Sequence, residues 1–582
     1  MFYWNYNNMK QNKNNRYMPL LMAVCVMVGI LMGTFFANRF SGNRLNIINS
    51  GSNRLNNLLH IIDDQYVDKV NIDSLVEKAM PQILAELDPH SVYISAKDVQ
   101  LATDDLKGSF FGVGIEFVIR EDTVHVQAVI ANGPAEKAGV IAGDKIISVD
   151  DKPFVGKGVT NEEAMKRLKG PKDTKVKIGV IRYGEKKPQY FTITRGEIPM
   201  KSVTAAYMLD ENTGYVKVKN FGEHTYDEMT IALAKLNNEG LSNLILDLRD
   251  NTGGYLKSAV LMAQEFLPAN QLIVYTEGRK SPRQDYKSDG RGAFQKMPLV
   301  VLINESSASA SEILAGAIQD NDRGTIIGRR SFGKGLVQQQ IPFNDGSMIR
   351  LTIARYYTPS GRCIQKPYSI GDGAGYEQDI IHRYEHGEFF SQDSIKHEGT
   401  PYKTRIGRTV FGGGGITPDI FVPEDTLGIT TYYKEAAMSG LILQFAFTYT
   451  DDNRIKLNNY KEMMQLSDYL KRQNLVEQFA NYGATRGLQR RNLMIQKSHN
   501  LLERYINSRI IYNMLNEEAW TEYLNLDDPV IKKALEVFNN GESFPKKPEA
   551  DKEETKKQKI AQARAYGSPM TITANKNIVV RT

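Results

Sequence analysis

The spacing of apolar residues along the chain changes several times, and each change marks a predicted module. Between residues 55 and 87 apolar residues recur at helical spacing, which predicts a small helical module. From residue 111 onward, short runs rich in valine and isoleucine predict strands, with two short helices between them. Helical spacing returns from residue 434 to about residue 539. A chain of 582 residues is expected to form several such modules, because single cores stop growing well below that length.

Between residues 214 and 328, predicted strands and helices alternate. The strands are predicted at 214–219, 244–249, 298–304 and 324–328, and the helices at 226–236, 258–267 and 311–318. Largely apolar strands that are connected through helices are typical of a parallel sheet covered by helices. This region is therefore predicted to be an α/β domain.

One uncharged apolar run occurs near the amino terminus, at residues 18–37, and about 20 such residues are enough to cross a bilayer as a helix. Basic residues precede the run, and no acidic residue occurs before Asp63, which favours a cytoplasmic amino terminus. Because no clean small-x-small cleavage site follows, we predict an uncleaved signal anchor, with cleavage after Ala37 as the alternative.

The composition excludes several classes of protein. With 41% hydrophobic and 24% charged residues, the chain is neither disordered throughout nor a multi-spanning membrane protein. The net charge of +6 is small, and no basic stripe with interleaved aromatic residues occurs, which argues against nucleic-acid binding. The two cysteines, Cys25 and Cys363, are too few for a disulfide framework or a cysteine-rich metal site.

The candidate chemistry begins with a serine-rich turn, residues 305–313, between a predicted strand and a predicted helix. A serine there is exposed beside helix amides that stabilise negative charge, although a helix cap is the commoner role. Lys334, between Gly333 and Gly335, is a candidate base, since an apolar setting favours a neutral amine that accepts a serine proton. A solvated loop lysine is the alternative. The histidines lie in no pattern that would supply a conventional triad.

The same glycines nearly match a phosphate-binding loop. Gly328 is followed after four residues by Gly333 and Lys334, but Gly335 stands where that motif needs Ser or Thr to reach magnesium. Nucleotide binding is therefore disfavoured.

Several blocks of the sequence, between about residues 55 and 422, resemble the carboxyl-terminal processing proteases, also called tail-specific proteases. The blocks are LDPHSVY at 87–93, AGVIAGDKIISV at 138–149, DLRDNTGG at 247–254, SASASEI at 307–313, FGKGLVQ at 332–338 and GGITPD at 414–419. For the first block, in which Asp88 precedes Pro89, a structural role as a packing corner is at least as well supported as a catalytic role. The resemblance implies a multidomain α/β protein with a crotonase/ClpP-like protease core and an inserted, circularly permuted PDZ domain.

The predicted modules have the following boundaries. They are a cytoplasmic tail at 1–17, a transmembrane signal anchor at 18–37, the N-terminal helical module at 50–105, the PDZ domain at 106–198, the serine protease core at 199–425 with an insertion at about 366–410, a helical C-terminal region at 426–540, and a charged tail, expected to be disordered, at 541–582.

The resemblance assigns roles to particular residues. Ser309 corresponds to the nucleophile, Lys334 to the general base, and Gln338 to the residue that orients the lysine amine. The resemblance also implies an oxyanion hole, whose backbone amides come from Ala310 and from the pair Gly253 and Gly254, with the choice between these two glycines left open. Such chemistry needs no metal and no cofactor.

In the PDZ domain, the resemblance implies that backbone amides bind the carboxyl terminus of a substrate while its peptide adds a strand to the sheet. Glycines suit this loop because a bare backbone approaches a carboxylate closely, and a β-bulge is the alternative. The residues of the loop are Phe110, Phe111, Gly112, Val113 and Gly114.

The implied function is a serine endopeptidase that cuts proteins near their carboxyl termini. Its expected partners are protein or peptide substrates with exposed carboxyl-terminal tails and, through the N-terminal helix, the membrane; homo-oligomerisation is left open. Because the family is extracytoplasmic in bacteria, the expected location is the inner membrane, crossed once, with the catalytic body in the periplasm. An inactive PDZ scaffold is the rival, against which intact Ser309, Lys334 and Gln338 argue.

Overall fold

The chain forms two units, residues 1–83 and 84–582. The computed structural model describes residues 22–24, 26–29, 51–120, 122–182, 185, 187–396 and 399–548. Helices α1 (Gly51–Gln65) and α2 (Ile72–Ala85) lie in the first unit, except that the last residues of α2 belong to the second.

The predicted membrane span and the inner-membrane location that depends on it are wrong. A bilayer crossing needs about 20 consecutive apolar residues in one helix, and none of the helices in the described residues is that long and that apolar. Of the predicted span at 18–37, the structure describes only two short helical pieces, 22–24 and 26–29. The remainder of the span, and the predicted tail at 1–17, lie outside the described residues.

The second unit begins with β1 (Val92–Ile94) and α3 (Val99–Lys107), and the predicted PDZ domain follows. Its elements are β2 (Ser109–Gly112), β3 (Ile115–Arg120), β4 (Thr123–Val129), α4 (Pro134–Ala138), β5 (Lys145–Val149), β6 (Lys152–Pro153), α5 (Asn161–Leu168), β7 (Lys175–Ile181), β8 (Gln189–Thr194) and β9 (Gly196–Pro199). The sheet has the order β3-β4-β5-β7-β8, with β6 beside β5, while β2 pairs with β9. One long side of β3 is therefore an edge of the sheet.

The α/β region contains the elements that carry the candidate site. They are β10 (Val203–Met208), β11 (Thr213–Val218), α6 (Thr225–Asn238), β12 (Asn243–Asp247), α7 (Leu256–Gln264), β13 (Leu272–Glu277), β14 (Gln284–Lys287), β15 (Leu299–Ile303), α8 (Ala310–Asp320), β16 (Thr325–Gly328), β17 (Leu336–Pro342), β18 (Met348–Tyr357), α9 (Gly373–Glu385), β19 (Pro401–Lys403), β20 (Thr409–Phe411) and β21 (Ile420–Phe421).

Two sheets organise this region. The first has the order β10-β11-β12-β15-β16-β21 and is parallel from β11 to β21, with β10 antiparallel at its edge. The second has the order β1-β18-β13-β14, with β17 paired to β18, and its described pairs are antiparallel. The predicted alternation of strands and helices is thus a mixed α/β arrangement. Residues 329–335 connect β16 to β17 without a helix, so the context of a phosphate-binding loop is not formed.

A run of helices follows the sheets. They are α10 (Thr431–Met438), α11 (Leu441–Leu457), α12 (Met463–Lys471), α13 (Leu475–Ala484), α14 (Asn492–Lys497), α15 (His499–Met514), α16 (Glu517–Asn525) and α17 (Pro529–Asn539). Residues 549–582 of the predicted tail lie outside the described residues.

The parallel sheet is buried on both faces, which explains its continuous apolar strands. One face, including Leu246 and Val301, packs against α6, α7 and α8. The other face, including Ile245 and Val300, packs in one cluster with buried residues of α17. The last helix of the C-terminal run therefore completes the core that holds the candidate site.

The C-terminal helices also contact the predicted PDZ domain. The Tyr512 hydroxyl of α15 donates to Glu116 Oε2 on β3 at 2.8 Å, and Gln127 Nε2 on β4 donates to Asn513 Oδ1 at 2.7 Å. These contacts hold strands β3 and β4 against α15.

Candidate active site

Ser309 lies where the chain passes from β15 into α8, one residue before the helix begins. Its backbone has a φ of 56° and a ψ of −113°, a conformation that is costly for a residue with a side chain. Glu312, in the first turn of α8, accepts a hydrogen bond from the Ser309 backbone N–H at 2.9 Å. The strained backbone is therefore held by the helix that follows it.

Glu312 connects this serine to the loop of the candidate lysine. It is fully buried, and its carboxylate accepts hydrogen bonds from the Gly333 and Lys334 backbone N–H groups, each at 2.8 Å, and from the Ser331 hydroxyl at 2.5 Å. Burial raises the pKa of Glu312 to about 7, although the hydrogen bonds oppose the rise. One carboxylate thus joins the start of α8 to the loop before β17.

The Tyr356 side chain, on β18, makes a second connection. Its buried hydroxyl lies 3.0 Å from the Ser309 carbonyl oxygen and also within hydrogen-bond distance of the Lys334 carbonyl oxygen. Burial raises the pKa of Tyr356 well above its usual value, so the phenol stays protonated and able to donate. The structure therefore brings the backbones of Ser309 and Lys334 to one place.

The surroundings of Lys334 favour the neutral form of its amine. Burial lowers the pKa of its amine, and the charge of Arg350 lowers it further, while Glu312 and Asp88 oppose this. Within the described part of the chain, no carboxylate lies within 4.0 Å of its amine. Lys366 differs, because its buried amine forms an ion pair with Asp379 at 3.0 Å.

The third predicted member lies apart from the lysine amine. Gln338 Nε2 donates to Thr352 Oγ1 at 3.4 Å, and among the described residues no hydrogen bond joins it to Lys334. The Ser309 hydroxyl and the Lys334 amine also make no direct hydrogen bond in the described residues. The structure thus places all three residues in one region without connecting their side chains directly.

The two predicted oxyanion glycines differ in their surroundings. A Cβ atom on Gly253, whose φ is 101°, would lie 2.7 Å from Ser309 Cβ and 2.9 Å from the Ala310 nitrogen. The Gly253 N–H donates to Asn251 Oδ1 at 2.9 Å. In the described residues, neither the Gly254 N–H nor the Ala310 N–H donates to a protein group. These two amides are therefore available to a substrate oxygen.

Sequence reasoning missed two parts of this site. The 87–93 block brings Asp88 and His90 to the lysine, and His90 Nε2 lies 3.1 Å from the Tyr376 hydroxyl. Burial, followed by the charge of Lys334, lowers the pKa of His90 to about 4, which keeps the ring neutral near pH 7. Glu312 was missed as well, although its spacing after Ser309 is that of a capping box.

Known proteins match both this region and its neighbours. The model of peptidase family S41 matches residues 212–381, that of the PDZ domain matches 112–193, and that of a family of unknown function matches 432–516. The carboxy-terminal-processing protease of Bartonella bacilliformis is 38% identical over 335 residues, which cover 56% of this chain and 74% of that protein. The chain belongs to the carboxy-terminal-processing proteases. It is a serine-type peptidase with the fold of family S41 and a PDZ domain.

Further relatives have similar names. The carboxyl-terminal-processing protease of Synechocystis is 37% identical over 296 residues, covering 50% of this chain and 68% of that protein. The solved structure of a photosystem II D1 C-terminal processing protease is 27% identical and covers 62% of this chain and 90% of that chain, with a TM-score of 0.31.

The predicted carboxylate loop of the protease's PDZ domain leads into the open edge strand. Residues 110–112 belong to β2 and pair with β9, while Val113 and Gly114 connect β2 to β3. Gly114 has a φ of 80°, and a Cβ atom there would lie 2.8 Å from Ile198 Cδ1. The Val113 carbonyl oxygen accepts a hydrogen bond from the Ala135 N–H, which fixes the loop against α4. The loop therefore has a close-packed backbone beside β3.

An open groove of about 630 Å³ adjoins the candidate site of the protease. It includes Ala354, which lies two residues before Tyr356 on β18, and Val337, which precedes Gln338 on β17. Its other lining residues are Leu256, Thr276, Lys280, Ser281, Pro282, Arg283, Gln284, Tyr286 and Ile353. Side chains of the second sheet and of α7 thus form a concave surface next to the site.

Proposed function

We propose that the protease cleaves peptide bonds near the carboxyl termini of proteins with a Ser309/Lys334 dyad. One observation carries this proposal: Glu312 and Tyr356 both contact the backbones of Ser309 and Lys334, next to a lysine amine that burial biases toward its neutral form. A neutral amine is a competent general base, whereas an amine paired with a carboxylate is not.

In the first half of the reaction, Ser309 Oγ attacks the scissile carbonyl carbon while the Lys334 amine takes the hydroxyl proton. The oxygen that becomes negative is stabilised by the Ala310 and Gly254 N–H groups, of which the first also lies at the positive end of α8. The Lys334 ammonium then gives its proton to the leaving amine, the peptide C–N bond breaks, and an acyl-enzyme remains. Water, deprotonated by the same amine, attacks the ester and releases Ser309.

The proposed dyad requires a rearrangement of side chains. Ser309 and Lys334 are both partly exposed, and the proposal requires rotation about their side-chain bonds to bring the amine to the hydroxyl. Catalytic hydrogen bonds often tighten only when substrate binds. Gln338 is proposed to assist by orienting the lysine amine after this rotation.

The PDZ domain is proposed to bind the substrate tail. The terminal carboxylate would lie at residues 110–114, and the peptide would pair with β3, which is an edge strand. Binding in this way adds backbone hydrogen bonds without demanding a particular sequence, so selection depends on a free carboxyl terminus.

The dyad is tested with purified protein and an unfolded substrate that has a free carboxyl terminus. Ser309→Ala and Lys334→Ala should each lower kcat/KM near neutral pH by at least about 1,000-fold, because each removes one partner of the proton transfer. Ser306→Ala, in the same turn, and Lys287→Ala, on exposed β14, should retain wild-type turnover.

Cleavage that persists in Ser309→Ala would contradict the assignment of the nucleophile. The rival function, a PDZ scaffold without activity, predicts that the wild type binds tailed peptides but turns over no substrate.

A further inference from the structure

Asp88 occupies a polar cluster that the proposed mechanism does not use. Only 7% of the residue is exposed, and its carboxylate accepts hydrogen bonds from the His90 N–H at 2.9 Å and from the Ser91 N–H at 3.1 Å. The Ser91 hydroxyl adds a third at 2.5 Å. These donors hold the carboxylate in one orientation against β18.

Thr352 links this carboxylate to the predicted orienting glutamine. Its hydroxyl donates to Asp88 Oδ1 at 3.0 Å and accepts a hydrogen bond from Gln338 Nε2 at 3.4 Å. Because the hydroxyl proton points to Asp88, a lone pair of the oxygen is left for the glutamine. The orientation of Gln338 therefore depends on Asp88 through one intermediate group.

The same carboxylate acts on the lysine through its charge. The charged or titratable groups that face Lys334 are Glu312 from α8, Arg350 from β18, and Asp88 and His90 from the loop before β1. His90 is neutral near pH 7. The oxygens of Glu312 already accept hydrogen bonds from the backbone N–H groups of Gly333 and Lys334. Asp88 opposes Arg350 and thus moderates the loss of basicity that burial causes in the amine.

We infer that Asp88 is a positioning residue of the protease, whose carboxylate orients Gln338 through Thr352 and supplies a fixed negative charge that the Lys334 amine faces. This inference depends on the proposed role of Lys334 as general base. Its physical basis is that several hydrogen-bond donors hold a buried carboxylate in one orientation.

The test is the pH profile of kcat/KM for Asp88→Asn, a change that removes the charge and keeps the shape. Without the anion the amine of Lys334 loses its proton more readily, so the acid limb of the profile should move to lower pH, by at most about one unit. We expect kcat to fall about tenfold with little change in KM, because the burial of Asp88 leaves little of it for a substrate to contact. A purely structural role would lower activity without moving the limb.

Two further variants separate charge from orientation. Thr352→Val breaks the link to Gln338 but keeps the Asp88 charge, so kcat should fall about tenfold while the acid limb stays in place. Asp98→Asn is the matched control, because Asp98 accepts a hydrogen bond from Ser95 in the same segment and is not among the charges that act on Lys334. It should behave as the wild type.

An Asp88→Asn protein that melts at the wild-type temperature and keeps the wild-type acid limb overturns the inference. If Asp88→Asn does not fold, Thr352→Val decides, and a wild-type kcat in that variant overturns the inference. Full activity in Lys334→Ala would contradict the proposed function instead, which keeps the two failures distinct.

Discussion

At the scale of single residues, two buried carboxylates organise the proposed site. Glu312 takes its donors from the backbones of Ser309, Gly333 and Lys334, whereas Asp88 takes its donors from its own loop and from Thr352. The first holds the main chain of the proposed dyad in place, and the second is proposed to act on its side chains.

Glu312→Gln is expected to lower both stability and turnover. The new amide NH₂ group would face backbone N–H groups that now donate hydrogen bonds to the carboxylate. A carboxyl group with a folded pKa raised to about 7 stabilises the protein fully below its unfolded pKa and loses that contribution as pH rises through 7. The stability advantage of the wild type over Glu312→Gln should therefore shrink by about 3 kcal/mol between pH 4 and pH 8. Urea unfolding at both pH values measures it.

Glu305→Gln, in the same turn, is the control, because the pKa of Glu305 is shifted in the opposite direction to that of Glu312. Burial raises the pKa of Glu305, but the ion pair with Arg329 at 2.7 Å outweighs this and lowers the pKa overall. Its contribution is present above the unfolded pKa and is lost as pH falls through the folded pKa. A wild-type advantage over Glu312→Gln that grew with pH would contradict the burial argument.

At the scale of elements, the site depends on how tightly the 251–254 loop packs against the start of α8. Gly253 is close enough to Ser309 that no side chain fits between them, and its positive φ favours glycine as well. The loop after β12 and the turn after β15 meet because these strands are neighbours in the parallel sheet.

Gly253→Ala should lower kcat/KM by at least about 100-fold, because its Cβ atom would displace Ser309 or the Ala310 amide from its place in the site. The control is Gly413→Ala, which has a similar φ of 80° and open space around the new Cβ atom. Both variants carry backbone strain, so only the first should lose activity beyond its loss of stability. Equal kcat/KM values in the two variants would show that Gly253 does not need to approach Ser309 closely.

At the scale of the whole molecule, one helix links regions that are far apart in the sequence. Helix α17 covers the face of the parallel sheet opposite to α8, and Asp528 at its start forms an ion pair with Arg249 at 2.7 Å. Arg249 also pairs with the fully buried Asp247 at the end of β12. The C-terminal helices thus support the loop that carries Gly253 and also contact the PDZ domain.

Tail recognition by the PDZ domain is tested with a peptide that has a free or an amidated carboxyl terminus. Binding is measured by fluorescence anisotropy on the Ser309→Ala protein, and the amidated peptide should bind at least about tenfold more weakly because the loop loses its anion. Gly114→Ala should weaken binding of the free acid as well, since its Cβ atom would meet Ile198.

Gly156→Ala is the control within the same domain, because Gly156 also has a positive φ but open space around a new Cβ atom. Equal affinity for the free and amidated peptides would contradict carboxylate recognition at this loop.

The sequence alone was sufficient for features that depend on neighbouring residues. Apolar runs alternating with segments of helical spacing predicted the alternation of strands and helices that is seen as β11, α6, β12, α7, β15, α8 and β16. The prediction succeeded because strand burial and helix periodicity depend on residues that are close together in the sequence. Short blocks around Ser309 and Lys334 were enough to identify the protease family. The membrane span failed because an apolar run is only a necessary condition for a crossing helix.

Tertiary structure decided which distant groups meet. Asp88 reaches Thr352 through the pairing of β1 with β18, and α17 reaches the sheet from the far end of the chain. Neither contact has a signal in residue spacing, since it depends on strand order and on the packing of elements. The proposed site residues come from short sequence blocks and the family resemblance that these blocks carry, whereas the mutual orientation of these residues follows only from the folded chain.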